Sequence, residues 1–134
     1  MQRSVERRTS KIMNVLLTHE RFLPDFGGGG EQIVYETARH LLRRGVQVRV
    51  LTTGDPRTTA YGGVPTVRLP ISRYRLNGAV RAIVDEARTA DLIHTCTYHA
   101  SLPSLLAGKW LGKPVLCQVL ALFHEGWKEM RGPG

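Results

Sequence analysis

Residues 12–53 read IMNVLLTHERFLPDFGGGGEQIVYETARHLLRRGVQVRVLTT and contain two apolar runs on either side of a helical pattern. The first run, residues 12–18, has the length and composition of a strand buried on both faces of a sheet. Residues 31–44 then carry apolar side chains at helical spacing, and Gly45 is a residue type that commonly ends a helix. Residues 46–53 form the second apolar run. The segment therefore predicts a β-α-β unit with a right-handed parallel crossover.

The rest of the chain continues this alternation of strands and helices. Apolar patterns predict strands at residues 64–69, 91–95 and 115–120, and helices at residues 77–90, with Asn77 as the N-cap, and 101–111. Residues 54–63 are expected to form a loop, and Pro65 favours an edge position for its strand. The alternation predicts a doubly wound, Rossmann-like parallel α/β sheet with strand order 3-2-1-4-5. The side chains expected to face the sheet are Ile33, Val34, Ala38, Leu41 and Leu42 on the first helix and Val80, Ile83, Val84 and Ala87 on the second.

The composition is that of one globular domain. The chain has 134 residues, of which 42% are hydrophobic and 22% charged, which is enough for a single core. Its two cysteines are too few for a disulfide-built scaffold or a four-cysteine zinc site. Residues 1–11 are polar and lack the apolar centre of a signal peptide, so we expect a disordered leader and a domain at residues 12–134. The longest apolar stretch, residues 115–123, is far shorter than the ~20 residues of a bilayer span. These features indicate a cytoplasmic protein.

The net charge is +8, from 19 lysines and arginines against 11 acidic residues. The cations are spread along the whole chain, whereas a nucleic-acid binder usually concentrates them on one face. We therefore expect a solvated basic surface and no specific nucleic-acid partner. Attraction to an acidic ligand or to the inner face of a membrane stays an open alternative, although Asp85 and Glu86 weaken it. The arginines that flank the helix predicted at residues 77–90 are Arg68, Arg73, Arg75 and Arg81.

In a doubly wound sheet, ligands bind beyond the carboxyl ends of the strands, where the strand order reverses. That rule selects the loops after the first and the fourth strand. The first of these loops ends in four glycines, residues 27–30, followed by Glu31 at the start of a helix. Backbone without Cβ atoms, together with the free N–H groups of a helix N-terminus, suits a phosphate or another anion. Gly28, Gly29, Gly30 and Glu31 are therefore candidate ligand contacts. The alternative is a flexible turn in which Glu31 stabilises the helix dipole.

Further candidate contacts follow the strands directly. Arg21 can bind a phosphate or carboxylate, and His19 can donate a hydrogen bond or move a proton, unless both lie in a solvated loop. Phe22, Leu23 and Phe26 either cover the sheet edge or form an apolar wall for an acceptor. The polar side chains expected beyond the later strands are Cys96, Tyr98, His99 and His124. His94 lies within the strand pattern and is expected to be an interior histidine. These residues lack an obvious fourth metal ligand, so no metal is predicted, and no catalytic residue can be assigned.

In order and spacing, these pieces resemble the N-terminal half of a GT-B glycosyltransferase of family 4, a group of retaining enzymes. The matching features are a strand, F-x-P, Gly-Gly-x-Glu, a helix, Arg-Gly and a strand, and later Asp-hydrophobic-hydrophobic-His, a helix and Lys-Pro-Val. The likeness covers residues 12 to about 130. It implies transfer of a sugar from a nucleotide-sugar to an acceptor with retained anomeric configuration. It further implies that this domain binds the acceptor, that the glycine loop approaches the donor diphosphate, and that no cofactor or metal is required.

The chain departs from the family pattern at several positions. The glycine run is one residue longer, Cys96 stands where a histidine is common, and Leu120 stands where a histidine often ends the fifth strand, with His124 later. The resemblance further implies a C-terminal nucleotide-sugar domain with paired glutamates, which we expect this chain to lack. We therefore expect a truncated chain that does not catalyse transfer alone and that self-associates if apolar sheet surface is exposed. A stand-alone anion- or nucleotide-binding module and a basic membrane-surface module are the alternatives.

Overall fold

The computed structural model describes residues 11–96 and 99–119. This part of the chain contains six strands, three α-helices and a 3-10 turn at Arg75–Gly78. The strands are β1 Asn14–Thr18, β2 Gln47–Thr53, β3 Ala60–Tyr61, β4 Val64–Leu69, β5 Leu92–Cys96 and β6 Val115–Gln118. The helices are α1 Gly29–Arg43, α2 Val80–Ala87 and α3 Ser101–Leu111.

The strands form one sheet in the order β3-β4-β2-β1-β5-β6. All neighbours are parallel except β3 and β4, which are antiparallel. With β3 set aside, the order is the predicted 3-2-1-4-5, so the doubly wound, Rossmann-like fold is confirmed. The strand order reverses between β1 and β5, which places the switch point beside the carboxyl end of β1.

The short strand β3 was not expected, because residues 54–63 were predicted to form a loop. Ala60 pairs with Pro65 and Tyr61 with Val64, and Gly62 and Gly63 form the turn between them with positive φ angles of 52° and 83°. Strand β4 is therefore not the outermost strand, and the edge position that Pro65 had suggested for it is wrong. A two-residue hairpin is missed because its signal is a pair of glycines within otherwise polar sequence.

Side chains alternate between the two faces of the sheet and pack against helices on both. In β1, Leu16 belongs to a buried cluster with Ile83 and Val84 of α2, whereas Val15 and Leu17 belong to a second cluster with residues of α1. The second cluster also contains Phe22, Val34, Ala38, Val48, Val50, Val64 and Cys96. The molecule is thus a three-layer α/β/α arrangement with α1 on one face and α2 and α3 on the other.

The helix boundaries differ from the predicted ones in two places. Helix α1 begins at Gly29 rather than at Glu31, so two of the four glycines lie in its first turn. The helix predicted at residues 77–90 is divided into the 3-10 turn and α2, and Ala79 rather than Asn77 is the N-cap of α2. Ile33 is 43% exposed although Val34 is buried, because adjacent helical positions lie about 100° apart and one of them faces the sheet.

Candidate functional site

The first turn of α1 carries three N–H groups that no described residue accepts from. Gly28 is the N-cap, with φ −80° and ψ −177°, and no side chain caps the helix. The first intrahelical bond runs from the N–H of Gln32 to the carbonyl of Gly28, over 3.1 Å. Within residues 11–96 and 99–119, the amides of Gly29, Gly30 and Glu31 therefore have no backbone or side-chain acceptor. Together with the positive end of the helix dipole, they form a local environment that favours an anion.

The glycines of this loop have different structural roles. None of them has a positive φ angle, so left-handed backbone is not the reason for glycine here. A Cβ atom at Gly27 would lie 2.9 Å from Cδ2 of Leu23, and one at Gly28 would lie 2.9 Å from Oε2 of Glu31. A Cβ atom at Gly29 would meet no atom within 4 Å. A side chain at Gly27 or Gly28 would therefore displace the side chain of Leu23 or Glu31, whereas the backbone at Gly29 is open to a ligand.

Glu31 lies beside this helix end and is buried, in contact with His19. Its Oε1 is 3.4 Å from Nε2 of His19, and its Oε2 is directed back toward Gly28. A carboxylate here interacts favourably with the free amides of the first turn. This position agrees with the alternative role predicted for Glu31, stabilisation of the helix dipole, and places the carboxylate on the Gly28 side of the turn.

His19 is buried at the end of β1 and is held by its backbone as well as by Glu31. Its N–H donates to the carbonyl of Leu51 over 3.1 Å. Burial lowers the pKa of His19, an effect that Glu31 and Glu20 oppose. The imidazole is therefore neutral near pH 7. If its Nε2–H donates to Glu31, Nδ1 is left as an acceptor, and within the described residues Nδ1 has no partner.

Next to His19, the structure brings together Glu20, His99 and two residues that follow β4. Oε2 of Glu20 is 3.6 Å from Nε2 of His99 and 4.0 Å from Nε of Arg73. Nη2 of Arg73 donates to the hydroxyl of Tyr74 over 2.7 Å, and the Tyr74 ring meets His99 edge-on at 5.2 Å between centroids. His99 thus lies at the switch point, where the sequence predicted it.

Glu20, Arg73 and Tyr74 were not predicted as site residues. Glu20 stands between His19 and Arg21, and that position was the available signal. Arg73 and Tyr74 follow β4, a strand that the switch-point rule does not select. Their proximity to the site is a tertiary feature that no local pattern encodes.

An open groove of about 340 Å³ lies between the loop after β1 and the segment after β4. The groove is lined by Arg21, Phe22, Asp25, Phe26, Thr53, Gly54, Ile71, Ser72, Arg73 and Tyr74. Of the predicted contacts, Arg21 lines the groove. Phe26 and the fully buried Phe22 are also among its lining residues, whereas Leu23 is not.

The base of this groove is fixed by contacts from β2 and β4. Oγ1 of Thr53 donates to the carbonyl of Glu20 over 2.8 Å, and Nη2 of Arg68 donates to the carbonyl of Leu23. The Arg68 side chain is completely buried, and its Nη1 lies 3.6 Å from Oδ2 of Asp25. Arg68 therefore cannot face a membrane, and the basic surface predicted around α2 loses one of its four arginines.

Two of the remaining candidates have clear positions. Cys96 belongs to β5, is 1% exposed and packs in the core, so a sugar contact through this side chain is excluded in this structure. Burial raises the pKa of Cys96 to about 11, which keeps it a protonated thiol near neutral pH. His94 is half-buried with Nε2 3.1 Å from Oε1 of Gln118, as expected for an interior histidine. Tyr98 and His124 lie outside the described residues.

The described residues form neither a metal site nor a membrane-spanning helix. No three His, Cys, Asp or Glu side chains among them are grouped closely enough to hold a metal ion. No helix in the same part of the chain has the length and apolar character to cross a membrane.

The chain is similar to a known family in its sequence and to a solved structure in its fold. The family model described as Glycosyltransferase Family 4 matches residues 27–133, which is most of the chain. Among solved structures, the chain is similar to MurG from Acinetobacter baumannii, with a TM-score of 0.61 and 16% sequence identity. The similarity covers 90% of this chain and 39% of the MurG chain. No curated protein has significant sequence similarity to the chain.

Proposed function

Because the chain belongs to glycosyltransferase family 4, we propose that it forms the acceptor-binding side of an enzyme that transfers a sugar from a nucleotide-sugar, with retention of the anomeric configuration. The observation that carries the proposal is the open backbone at Gly29, where α1 begins beside the reversal of the strand order. The chain has the fold of the N-terminal half of a GT-B enzyme, and this fold supports the proposal.

In this proposal, the first turn of α1 binds the donor diphosphate. The free amides of Gly29, Gly30 and Glu31 face an anion without an intervening side chain at Gly29. Preorganised N–H groups stabilise the negative charge that develops on a leaving diphosphate, which lowers the barrier without a metal. Neutral His19 has a positioning role, since its contact with Glu31 keeps that carboxylate on the Gly28 side of the turn.

The acceptor is proposed to lie over the carboxyl ends of β1 and β5, in contact with Arg21 and His99. The chain spans 39% of the length of the MurG chain it matches. Transfer needs donor and acceptor to be held in one geometry, so we propose that the chain alone binds ligand without transferring sugar. The complete enzyme would act in the cytoplasm.

The proposal is tested by placing a side chain at Gly29. Gly29→Leu directs an apolar group over the free amides but meets no atom within 4 Å at Cβ, so the fold should tolerate it. We expect the Kd for a nucleoside diphosphate, measured by calorimetry on the chain, to rise at least tenfold, and KM for nucleotide-sugar in the complete enzyme to rise similarly.

The matched control is Gly78→Leu. Gly78 also has open space around its Cβ position and an ordinary φ angle, and it lies in the 3-10 turn away from α1. Its substitution should leave both values unchanged. Equal Kd values for Gly29→Leu and the wild type, with unchanged thermal stability, would refute a diphosphate site at this helix end.

A stand-alone nucleotide-binding module is the alternative function. The same free amides support it, and the two are separated by assaying the chain and the complete enzyme with a panel of UDP- and GDP-sugars. Micromolar nucleotide binding by the chain, with no sugar transfer by the complete enzyme, would favour the module.

A further inference from the structure

Two guanidinium groups lie on aromatic rings at opposite walls of the groove. Cζ of Arg21 is 4.3 Å from the centroid of the Phe26 ring, and Cζ of Arg73 is 4.7 Å from that of Tyr74. Both rings are largely exposed, Phe26 at 44% and Tyr74 at 61%. A guanidinium that lies over a ring has a restricted orientation and keeps its N–H edge free for another partner.

The charges around the groove are not balanced at Arg21. The carboxylate of Asp25 is close to Arg68, and that of Glu20 is close to Arg73 and His99. In the part of the chain that the structure describes, no carboxylate lies within 4.0 Å of Arg21. The groove therefore has one cation on each wall and a carboxylate partner for only one of them.

Polar atoms that a ligand with hydroxyl groups would satisfy lie at the second wall and directly behind it, where Glu20 meets Arg73. Oε2 of Glu20 and Nε of Arg73 are buried and have no hydrogen-bond partner among the described residues. Arg73 is half-exposed, so a shift of its side chain would open this pair to a ligand that both donates and accepts. A sugar hydroxyl has that property, and Tyr74 offers an aromatic surface for a sugar ring.

From these observations we infer that the groove binds an anionic sugar, a hydroxyl-bearing ring that carries a phosphate or a carboxylate. Arg21 binds the anion, while Arg73, Glu20 and Tyr74 contact the ring and its hydroxyls. The groove volume of about 340 Å³ lies within the range of about 300–1,000 Å³ typical of small-molecule sites. The inference rests on the proposed function in one respect, that this sugar is the acceptor of the transfer reaction.

The test is a titration of the chain, followed by heteronuclear NMR at constant ionic strength, with glucose, glucose 6-phosphate, glucuronate and inorganic phosphate. We expect one or both charged sugars to bind at least tenfold more tightly than glucose and than inorganic phosphate. The tighter of the two charged sugars identifies the anion as phosphate or carboxylate. Equal affinity for glucose and the charged sugars would overturn the inference, as would equal affinity for inorganic phosphate and glucose 6-phosphate, which indicates an adventitious ion only.

A pair of variants locates the binding. Arg21→Gln should abolish the preference for the charged sugar without changing Tm, because Arg21 is not part of the core. The matched control is Arg39→Gln, because Arg39 also lies over a ring, with Cζ 5.4 Å from the Tyr35 centroid, but on α1 outside the groove. If Arg39→Gln weakens binding as much as Arg21→Gln, the preference reflects net charge and the inference is wrong.

Failure of this inference differs from failure of the proposed function. If the complete enzyme transfers sugar to a neutral acceptor and the chain shows no preference for charged sugars, the anionic ligand is refuted but the transferase function is not. If the chain binds charged sugars, Arg21→Gln abolishes that binding and no nucleotide-sugar supports transfer, the transferase function is refuted but the anionic-sugar site is not.

Discussion

At the amino ends of the strands, polar side chains are paired, whereas at the carboxyl ends several buried polar atoms have no hydrogen-bond partner in the described part of the chain. At the amino ends, the N–H of Asn14 donates to Asp91 over 2.8 Å, and Arg49 binds Glu86 through the carboxylate and the backbone carbonyl. Within the described residues, the buried side-chain atoms without a hydrogen-bond partner belong to His19, Glu20, Thr52, Arg68 and Arg73, at or just beyond the carboxyl ends.

Cavity size does not distinguish the two ends. A mainly apolar cavity of about 260 Å³ lies at the amino ends and is lined in part by Val15, Leu42, Val48 and Pro65. Unsatisfied buried polar groups reduce stability, and they persist where a ligand completes them. The comparison teaches that polar pairing, rather than concave shape, indicates which end of this sheet binds a ligand. Three substitutions in this comparison have effects that we expect to decrease in the order given.

The largest effect is expected at Lys113, on the amino-end side of the sheet. Its Nζ donates to the carbonyls of Ala87 and Arg88, over 2.8 and 2.5 Å, and to that of Ala90 over 2.5 Å, where α2 ends. Lys113→Met removes all three bonds, so urea denaturation should show a loss of about 2 kcal/mol in the free energy of unfolding. Lys109→Met, at an exposed lysine of α3, is the control and should change it little. An equal loss in both variants would contradict the pairing argument.

An intermediate effect of opposite sign is expected at the carboxyl ends. Thr52 is fully buried and its hydroxyl has no hydrogen-bond partner among the residues that the structure describes, so Thr52→Val should raise the free energy of unfolding by about 1 kcal/mol. Thr18 is equally buried, but its hydroxyl lies 2.7 Å from that of Ser104. Thr18→Val should therefore lower the same quantity by about 1 kcal/mol. Destabilisation by both variants would show that the Thr52 hydroxyl has a partner in solution.

The smallest effect is a pH dependence of stability. Burial lowers the pKa of His19 below the unfolded value of 6.5, so acidification through that value protonates the unfolded chain first and reduces stability. His94, whose pKa is also lowered by burial, contributes in the same direction. Between pH 7 and 5, His19→Gln should lose less stability than the wild type in thermal denaturation. His40→Gln, at an exposed position of α1, should retain the wild-type slope, and an unchanged slope in His19→Gln would contradict the burial of a neutral imidazole.

The sequence was sufficient to predict the β-α-β unit and the strand order, because both depend on local patterns. Apolar runs of strand length and the helix-ending Gly45 are visible without tertiary contacts. It could not predict the burial of Cys96. The predicted strand ended at residue 95, whereas β5 continues to Cys96 and this side chain packs in the core. The groove was also missed, since Arg73 and Tyr74 follow β4, a strand that the switch-point rule does not select.

The loop after β1 is anchored by contacts from β2 and β4, and open backbone begins only where α1 begins. Thr53 fixes the backbone at Glu20 and Arg68 fixes it at Leu23, whereas Gly29 has no neighbour within 4 Å of its Cβ position. A bound molecule is therefore expected to meet fixed side chains and backbone at the loop and uncovered backbone at the first turn of α1. Discrimination between ligands would then depend on fit against the loop, and accommodation of larger groups on the open space at Gly29.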